Sequence, residues 1–460
     1  MKTALLICLT FSGIIFSQTQ KAQKIQAVFE KAAANGLFNG NVLVVDHHQV
    51  VYKKAIGYTD AHKNTPLTTD YRFHIGSIAK EFNAVGIMLL QDRGKLKLTD
   101  NVSQYLPELP AWSKSITIRD LLGYTSGIPD IQWKSVKSDQ ENMANLIKTE
   151  KLDFEPGTQY AYNNNNVFLQ RRIIERITGL SFNDFVYKEL LIPNKITHAV
   201  IDPTEKEPLV ARAFDDKGQQ DPMDLPISGW TAVNLDDFYQ WSQSIVNFKI
   251  ISPESTRFLL IPYSPSKQSG LGSKGQMAGN KIIHYEHDGT ARNYQALLVC
   301  SPEEGRAIIL MTNNKQNNLF DFNTAIKNIL DGKPYKQIKK QVMPLLQNDI
   351  DQLHGKEIIT RYLQLKKQYQ DSYAFDSEDS LNTLGYYLLN KKRTDDAIEV
   401  LQYNTQLFPK SGNVFDSLGE AYLTKGDQHN ALKNYKRAVA LDPANENAKN
   451  IINKIESKED

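Results

Sequence analysis

The chain has 460 residues, 41% hydrophobic and 23% charged, a globular composition long enough for two or three domains. Its 54 Lys and Arg balance 52 Asp and Glu to a net charge of +2, so there is no basic excess to meet a polyanion, and no nucleic-acid partner is expected.

The chain begins with Met1-Lys2 and an apolar run from Ala4 to Phe16, then turns polar at Ser17-Gln18-Thr19-Gln20. A short basic start, an apolar stretch too short to span a bilayer and a small residue at its end read as a signal peptide over residues 1–17. No later stretch is apolar enough to cross a membrane. The expectation is an exported protein, periplasmic or secreted, with no integral span after signal removal. Of the two cysteines, Cys8 lies in the signal, so the mature chain keeps Cys300 alone and forms no internal disulfide.

Residues 21–335 read as one mixed domain. A helix is predicted from Ile25, Val28, Phe29 and Ala32 at helical spacing, then two strands, Asn41–Asp46 and Gln49–Ile56, around a His47-His48 turn. Helices fill the middle. Strands return at Lys281–His287, Tyr294–Cys300 and Arg306–Thr312, before a closing helix, Phe320–Leu330. This order predicts an α/β fold of the α+β type: an antiparallel sheet flanked by helices, its outer strands drawn from distant parts of the chain, plus a mainly helical part.

Beyond Tyr335 the β signal stops. Residues 336–375 are expected to form a helical connector and 376–460 an all-α repeat region. Leu384 and Leu418, Gly385 and Gly419, Ala397 and Ala431, and Pro409 and Pro443 each lie 34 residues apart, a period that resembles tetratricopeptide repeats. Gly385 and Ala397 would let helices approach closely, with Leu401 and Tyr435 filling the seams. Such helical pairs present a concave surface, so a protein partner is a possible role.

Three short stretches carry candidate chemistry. In Gly76-Ser77-Ile78-Ala79-Lys80 the serine and lysine are one helical turn apart, so an amine can reach the hydroxyl and, if burial keeps it neutral, take its proton. Tyr160-Ala161-Tyr162-Asn163-Asn164 offers Tyr162 as a proton relay and an amide two residues on; its Pro156-Gly157 approach and the Asn163–Asn166 run also suit an ordinary surface turn. His287-Asp288-Gly289-Thr290 ends a strand, where a glycine lets substrate lie close and the next N–H can point at a carbonyl oxygen. No spaced His, Asp and Glu cluster suggests a metal, and no cofactor is expected.

In this order the stretches resemble the serine β-lactamase and penicillin-binding superfamily, whose ordered elements are S-x-x-K, a three-residue middle element and K-T-G. The similarity is closest to the class C β-lactamase-like branch of esterases and D-peptidases, where the middle element is Tyr-x-Asn. The matching stretches are Phe73–Lys80, Leu121–Ile128, Pro156–Asn164 and His287–Gly289. The resemblance implies that Ser77 is acylated, that Lys80 and Tyr162 share base and acid duties, and that Asn164 holds Lys80 and a substrate amide. It also implies that the N–H groups of Ser77 and Thr290 form the oxyanion hole beside Gly289, with His287 binding a substrate carboxylate or assisting Tyr162. Which of Lys80 and Tyr162 takes the first proton stays open. Two departures matter. His287 stands where β-lactamases carry lysine, which removes a permanent cation and tilts the expectation from antibiotics toward a peptide or ester; Tyr124 replaces the usual histidine of the L-L-T-H-T-S-G stretch. A true β-lactamase and a non-catalytic peptidoglycan- or partner-binding protein are the alternatives.

Overall fold

The structure is a computed structural model that describes residues 19–261, 267–268, 270–272 and 274–457. The signal-peptide reading of residues 1–17 lies outside the described residues. The chain divides into two compact units, Met1–Gln337 and Ile338–Asp460.

The first unit is built on a six-stranded antiparallel sheet. Its strands are β1 (Gly40–Asp46), β2 (Gln49–Ile56), β6 (Lys274–Ala278), β7 (Lys281–Ala291), β8 (Tyr294–Ser301) and β9 (Arg306–Thr312), ordered β2-β1-β9-β8-β7-β6. The first strand thus pairs with the last, Val42 opposite Leu310. Between β1 and β2, His47 and His48 both adopt positive φ, 52° and 61°, the two-residue turn whose twist suits a hairpin.

A second sheet, absent from the sequence-based expectation, joins β3 (Phe73–His74), β4 (Val200–Ile201) and β5 (Thr231–Val233) in the order β3-β5-β4. Strands of two or three residues are too short to show an alternating pattern. Strand β6, Lys-Gly-Gln-Met-Ala, was also missed: it is a partly exposed edge with a lysine and a glycine and little β propensity.

Both faces of the large sheet are covered, because every residue of β1 and β9 is buried. Period-two alternation sends Leu43, Val45, Ile309 and Met311 into the main core with Phe82 and Trp241. On the helices formed by residues 19–34 and Leu319–Leu330, Phe29 and Phe322 stack at 4.7 Å, and Phe29 also lies parallel to Tyr52 of β2. Cys300 is fully buried in β8, and burial pushes its thiol up to about 12, so it is chemically quiet.

The second unit is a run of helices: Met343–Ile350, Gly355–Tyr369, Glu378–Asn390, Thr394–Leu407, Gly412–Lys425, Gln428–Leu441 and Glu446–Glu456. Ideal Cβ atoms on Gly385 and Gly419 would fall 2.6 Å from Leu401 and 3.1 Å from Tyr435, the helix crossings that the 34-residue spacing predicts. Residues 336–375 do more than connect. Val342, Leu346, Ile358, Tyr362 and Phe375 share one core with Leu381, Leu384 and Val400, covering an apolar face that two repeats alone would leave exposed.

Candidate active site

Strand β3 delivers the chain to the site. His74 pairs with Ala232, and the Ile75 N–H donates to the Thr231 carbonyl at 3.1 Å. The backbone then tightens into a 3₁₀ turn, Gly76–Ala79, and only at Lys80 does the helix Lys80–Asp92 begin. Ser77 therefore sits in the turn just before the helix. The three-residue spacing still brings the pair together: Ser77 Oγ accepts from Lys80 Nζ at 3.1 Å.

Lys80 is the group whose ionisation is most informative. Burial, reinforced by the nearby Arg171 cation and opposed by Asp130, brings its ammonium down from 10.5 to about 7. Its Nζ lies over the rings of Tyr162 and Trp230, at 5.1 and 5.6 Å from their centroids. The Tyr162 hydroxyl also donates to Ser77 Oγ, at 3.0 Å. Burial pushes that phenol above its ordinary range, an effect the bond to Ser77 reduces and Asp288 and Asp130 reinforce. One hydroxyl is thus held between an amine close to neutral and a phenol that keeps its proton.

The asparagine run that positions Tyr162 is no surface turn. Asn163 caps the helix Asn164–Thr178 by accepting from Asn166 N–H, and donates to the Ile128 carbonyl at 2.7 Å. Asn165 donates to the Pro129 carbonyl, and Ser126 donates to Asn166 at 2.6 Å. Amide side chains can satisfy donors and acceptors at once, so the run fastens the loop around Gly127–Asp130 to the start of the helix. Asn164 lines the cleft with Lys80, and its backbone N–H donates to Asp130 Oδ1 at 2.9 Å. Among the described residues no bond joins its side chain to Lys80.

Strand β7 packs directly on the nucleophile turn. An ideal Cβ on Gly289 would lie 2.0 Å from the Ile75 carbonyl oxygen and 2.9 Å from Ser77 N, and one on Gly76 would lie 2.4 Å from Thr290 N. Two side-chain-free residues thus let the backbone N–H groups of Ser77 and Thr290 share one small region.

His287 is tied to a neighbour that its motif did not indicate. It is 2% exposed, and its Nδ1 lies 2.6 Å from Oε1 of the fully buried Glu81. The structure brings it to that carboxylate, with no hydrogen bond to Ser77 or Tyr162 among the described residues.

Sequence reasoning missed several neighbours. Trp133, Trp230 and Arg171 line the cleft beside Lys80. Asp202 positions Trp230 by accepting from its N–H at 2.9 Å. Glu81 had a visible signal, an acid next to the apolar run Phe82–Leu90 in a helix expected to be buried, whereas Trp230 and Arg171 had none. A larger cavity of about 1000 Å³ opens near Met88, Leu96, Leu122 and Phe258. No hydroxyl lining it is paired with a lysine or tyrosine among the described residues, so the chemistry is assigned to the Ser77–Lys80–Tyr162 cluster.

The Lys80 environment predicts a pH profile. Only the neutral amine can accept a proton, so acyl transfer should fall as pH drops below about 7. In Arg171→Met the like charge that disfavours the ammonium is gone, and the limb should move to higher pH. A limb at the same pH in variant and wild type would show that Arg171 is not felt at Lys80.

Both parts of the chain have relatives among known proteins. The beta-lactamase family profile matches residues 23–331, and a tetratricopeptide-repeat profile matches residues 413–445. A penicillin-binding protein of Bacillus subtilis (strain 168) is 26% identical over 351 residues, 68% of this chain and 77% of that protein. Protein flp of Staphylococcus aureus (strain N315) is 25% identical over 316 residues, 63% of each chain, so the match spans less than two thirds of flp. In three dimensions, FmtA of Staphylococcus aureus aligns over 69% of this chain and 92% of its own with a TM-score of 0.57, at 22% identity. The chain belongs to the beta-lactamase family, a family of serine acyl-transfer proteins and hydrolases, and carries a tetratricopeptide repeat beyond the family domain.

Proposed function

We propose that the protein is an exported serine hydrolase that cleaves an ester or an amide through a covalent acyl-enzyme, of the esterase or D-amino-acid peptidase type. One observation carries this reading: Ser77 Oγ is held 3.1 Å from Lys80 Nζ and 3.0 Å from the Tyr162 hydroxyl, with Lys80 brought down to about 7. In the neutral state Lys80 accepts the Ser77 proton as Oγ attacks the carbonyl carbon. The oxygen that gains charge is received by the N–H groups of Ser77 and Thr290. Tyr162, still protonated, donates to the leaving group and recovers its proton from Lys80; water then cleaves the acyl ester by the reverse relay. Asn164, on the wall of the cleft, is the candidate partner for a substrate amide. His287 stands where β-lactamases carry a lysine and is bonded through Nδ1 to Glu81, so the permanent cation that would meet a β-lactam carboxylate is missing at this position, which supports a substrate without one. The helical unit is the candidate docking surface for a protein partner.

A panel of p-nitrophenyl esters and D-amino-acid p-nitroanilides, with nitrocefin alongside and Ser77→Ala as background, tests the proposal. Turnover of an ester or anilide that depends on Ser77 is expected, with nitrocefin near the no-enzyme rate. Rapid nitrocefin turnover would make the protein a β-lactamase, and an inert panel would remove the hydrolase reading.

A further inference from the structure

Glu81 is an acid in a helix otherwise buried by apolar contacts, and it is 0% exposed. Consecutive helical residues point about 100° apart, so Lys80 can face Ser77 while Glu81 faces the sheet. There its carboxyl group makes three hydrogen bonds. Trp241 Nε1–H reaches Oε2 at 2.7 Å; the Tyr285 hydroxyl and the His287 ring nitrogen Nδ1 reach Oε1 at 2.5 and 2.6 Å.

Two of these partners are on β7, at alternate positions on the face that also presents Gly289. Among the described residues, the bonds of Tyr285 and His287 to Glu81 are the hydrogen bonds that join residues 76–92 to that strand. The contact of Gly289 with Ile75 and Ser77 is close but has no directional bond of its own. The carboxylate is four residues from Ser77, and Thr290 is three residues beyond His287. Buried out of reach of substrate, Glu81 can act only through what it holds.

We infer that Glu81 is a positioning residue for acyl transfer: through His287 and Tyr285 it locks β7 to the Ser77 turn and sets the spacing of the Ser77 and Thr290 N–H groups that receive the carbonyl oxygen. This rests on the hydrolase reading above, and it gives the histidine that replaces lysine in the third motif a specific partner.

The test uses the full chain with Glu81→Gln, His287→Gln and the double variant. The readouts are the rate of Ser77 labelling by a fluorophosphonate, kcat and KM on the best ester, and affinity for a boronic acid that forms a tetrahedral serine adduct. Glu81→Gln should slow labelling and kcat by about tenfold or more and weaken boronate binding in parallel, with KM within about twofold. The double variant should be no slower than the slower single one, since both break the same connection. Folded Glu81→Gln labelled at the wild-type rate, or single effects that multiply in the double variant, would overturn the inference. If Glu81→Gln does not fold, Tyr285→Phe removes one of the three bonds and should lower kcat by about two- to fivefold at unchanged KM; an unchanged kcat there would overturn it equally. A folded wild type that is neither labelled nor active would remove the hydrolase reading and this inference together, whereas a labelled wild type with an equally fast Glu81→Gln removes this inference alone.

Discussion

Lys80→Met is expected to lower acyl transfer from Ser77 by about 10²–10⁴-fold while leaving the protein folded. The serine hydroxyl then has a phenol as its remaining neighbour, and that phenol is held protonated by burial. Methionine has similar length and no charge, so it fits the same buried channel. It should also stabilise the protein in a pH-dependent way. Lys80 titrates near 7 in the folded state and near 10.5 in an unfolded chain, so the unfolded chain binds more protons between those values. Wild-type stability therefore rises with pH through that window, and the burial penalty is full below about 7. Lys80→Met removes the penalty, so its advantage in denaturant midpoint should be largest below pH 7 and fade toward pH 10. Steady-state kinetics with denaturation curves at several pH values checks both parts. An active Lys80→Met protein would show that Lys80 is not the proton acceptor.

The second large effect is steric. Gly289→Ala places a methyl group 2.0 Å from the Ile75 carbonyl oxygen and 2.9 Å from Ser77 N, and both obstacles are backbone. No flexible side chain can move aside, so β7 and the nucleophile turn must separate. A displaced oxyanion donor costs about 10²–10³-fold in kcat, and that order of loss is expected with KM much less affected. Single-turnover acylation by a p-nitrophenyl ester is the direct measurement. An acylation rate within twofold of wild type would show that Thr290 N–H does not take part.

Local features of both fold and site were legible in the sequence. Ser77 and Lys80 are three positions apart, and any backbone that coils there brings them together. The apolar runs of β1, β2, β7, β8 and β9 are long enough to show as strands. What stayed hidden depends on partners distant along the chain. The Asn163–Asn166 run looks like a polar turn until Ser126, Ile128 and Pro129 supply its partners. His287 gives no sequence sign of its bond to Glu81, which stands on another element. That two repeats need a covering helix ahead of them was legible from their number, but the helix Met343–Ile350, which adds Leu346 and Ile350 to the same core, carried no repeat signal. The aromatic wall formed by Trp133 and Trp230 stands on loops, where no periodicity marks a residue as part of a site.

Ser77 is proposed as the nucleophile that becomes acylated. Intact-mass spectrometry of the full chain after reaction with a fluorophosphonate, followed by peptide mapping, measures this most directly. A single adduct on the peptide carrying Ser77, absent from a folded Ser77→Ala variant, is the predicted result. An unmodified folded wild type, or an adduct on another residue, would contradict it.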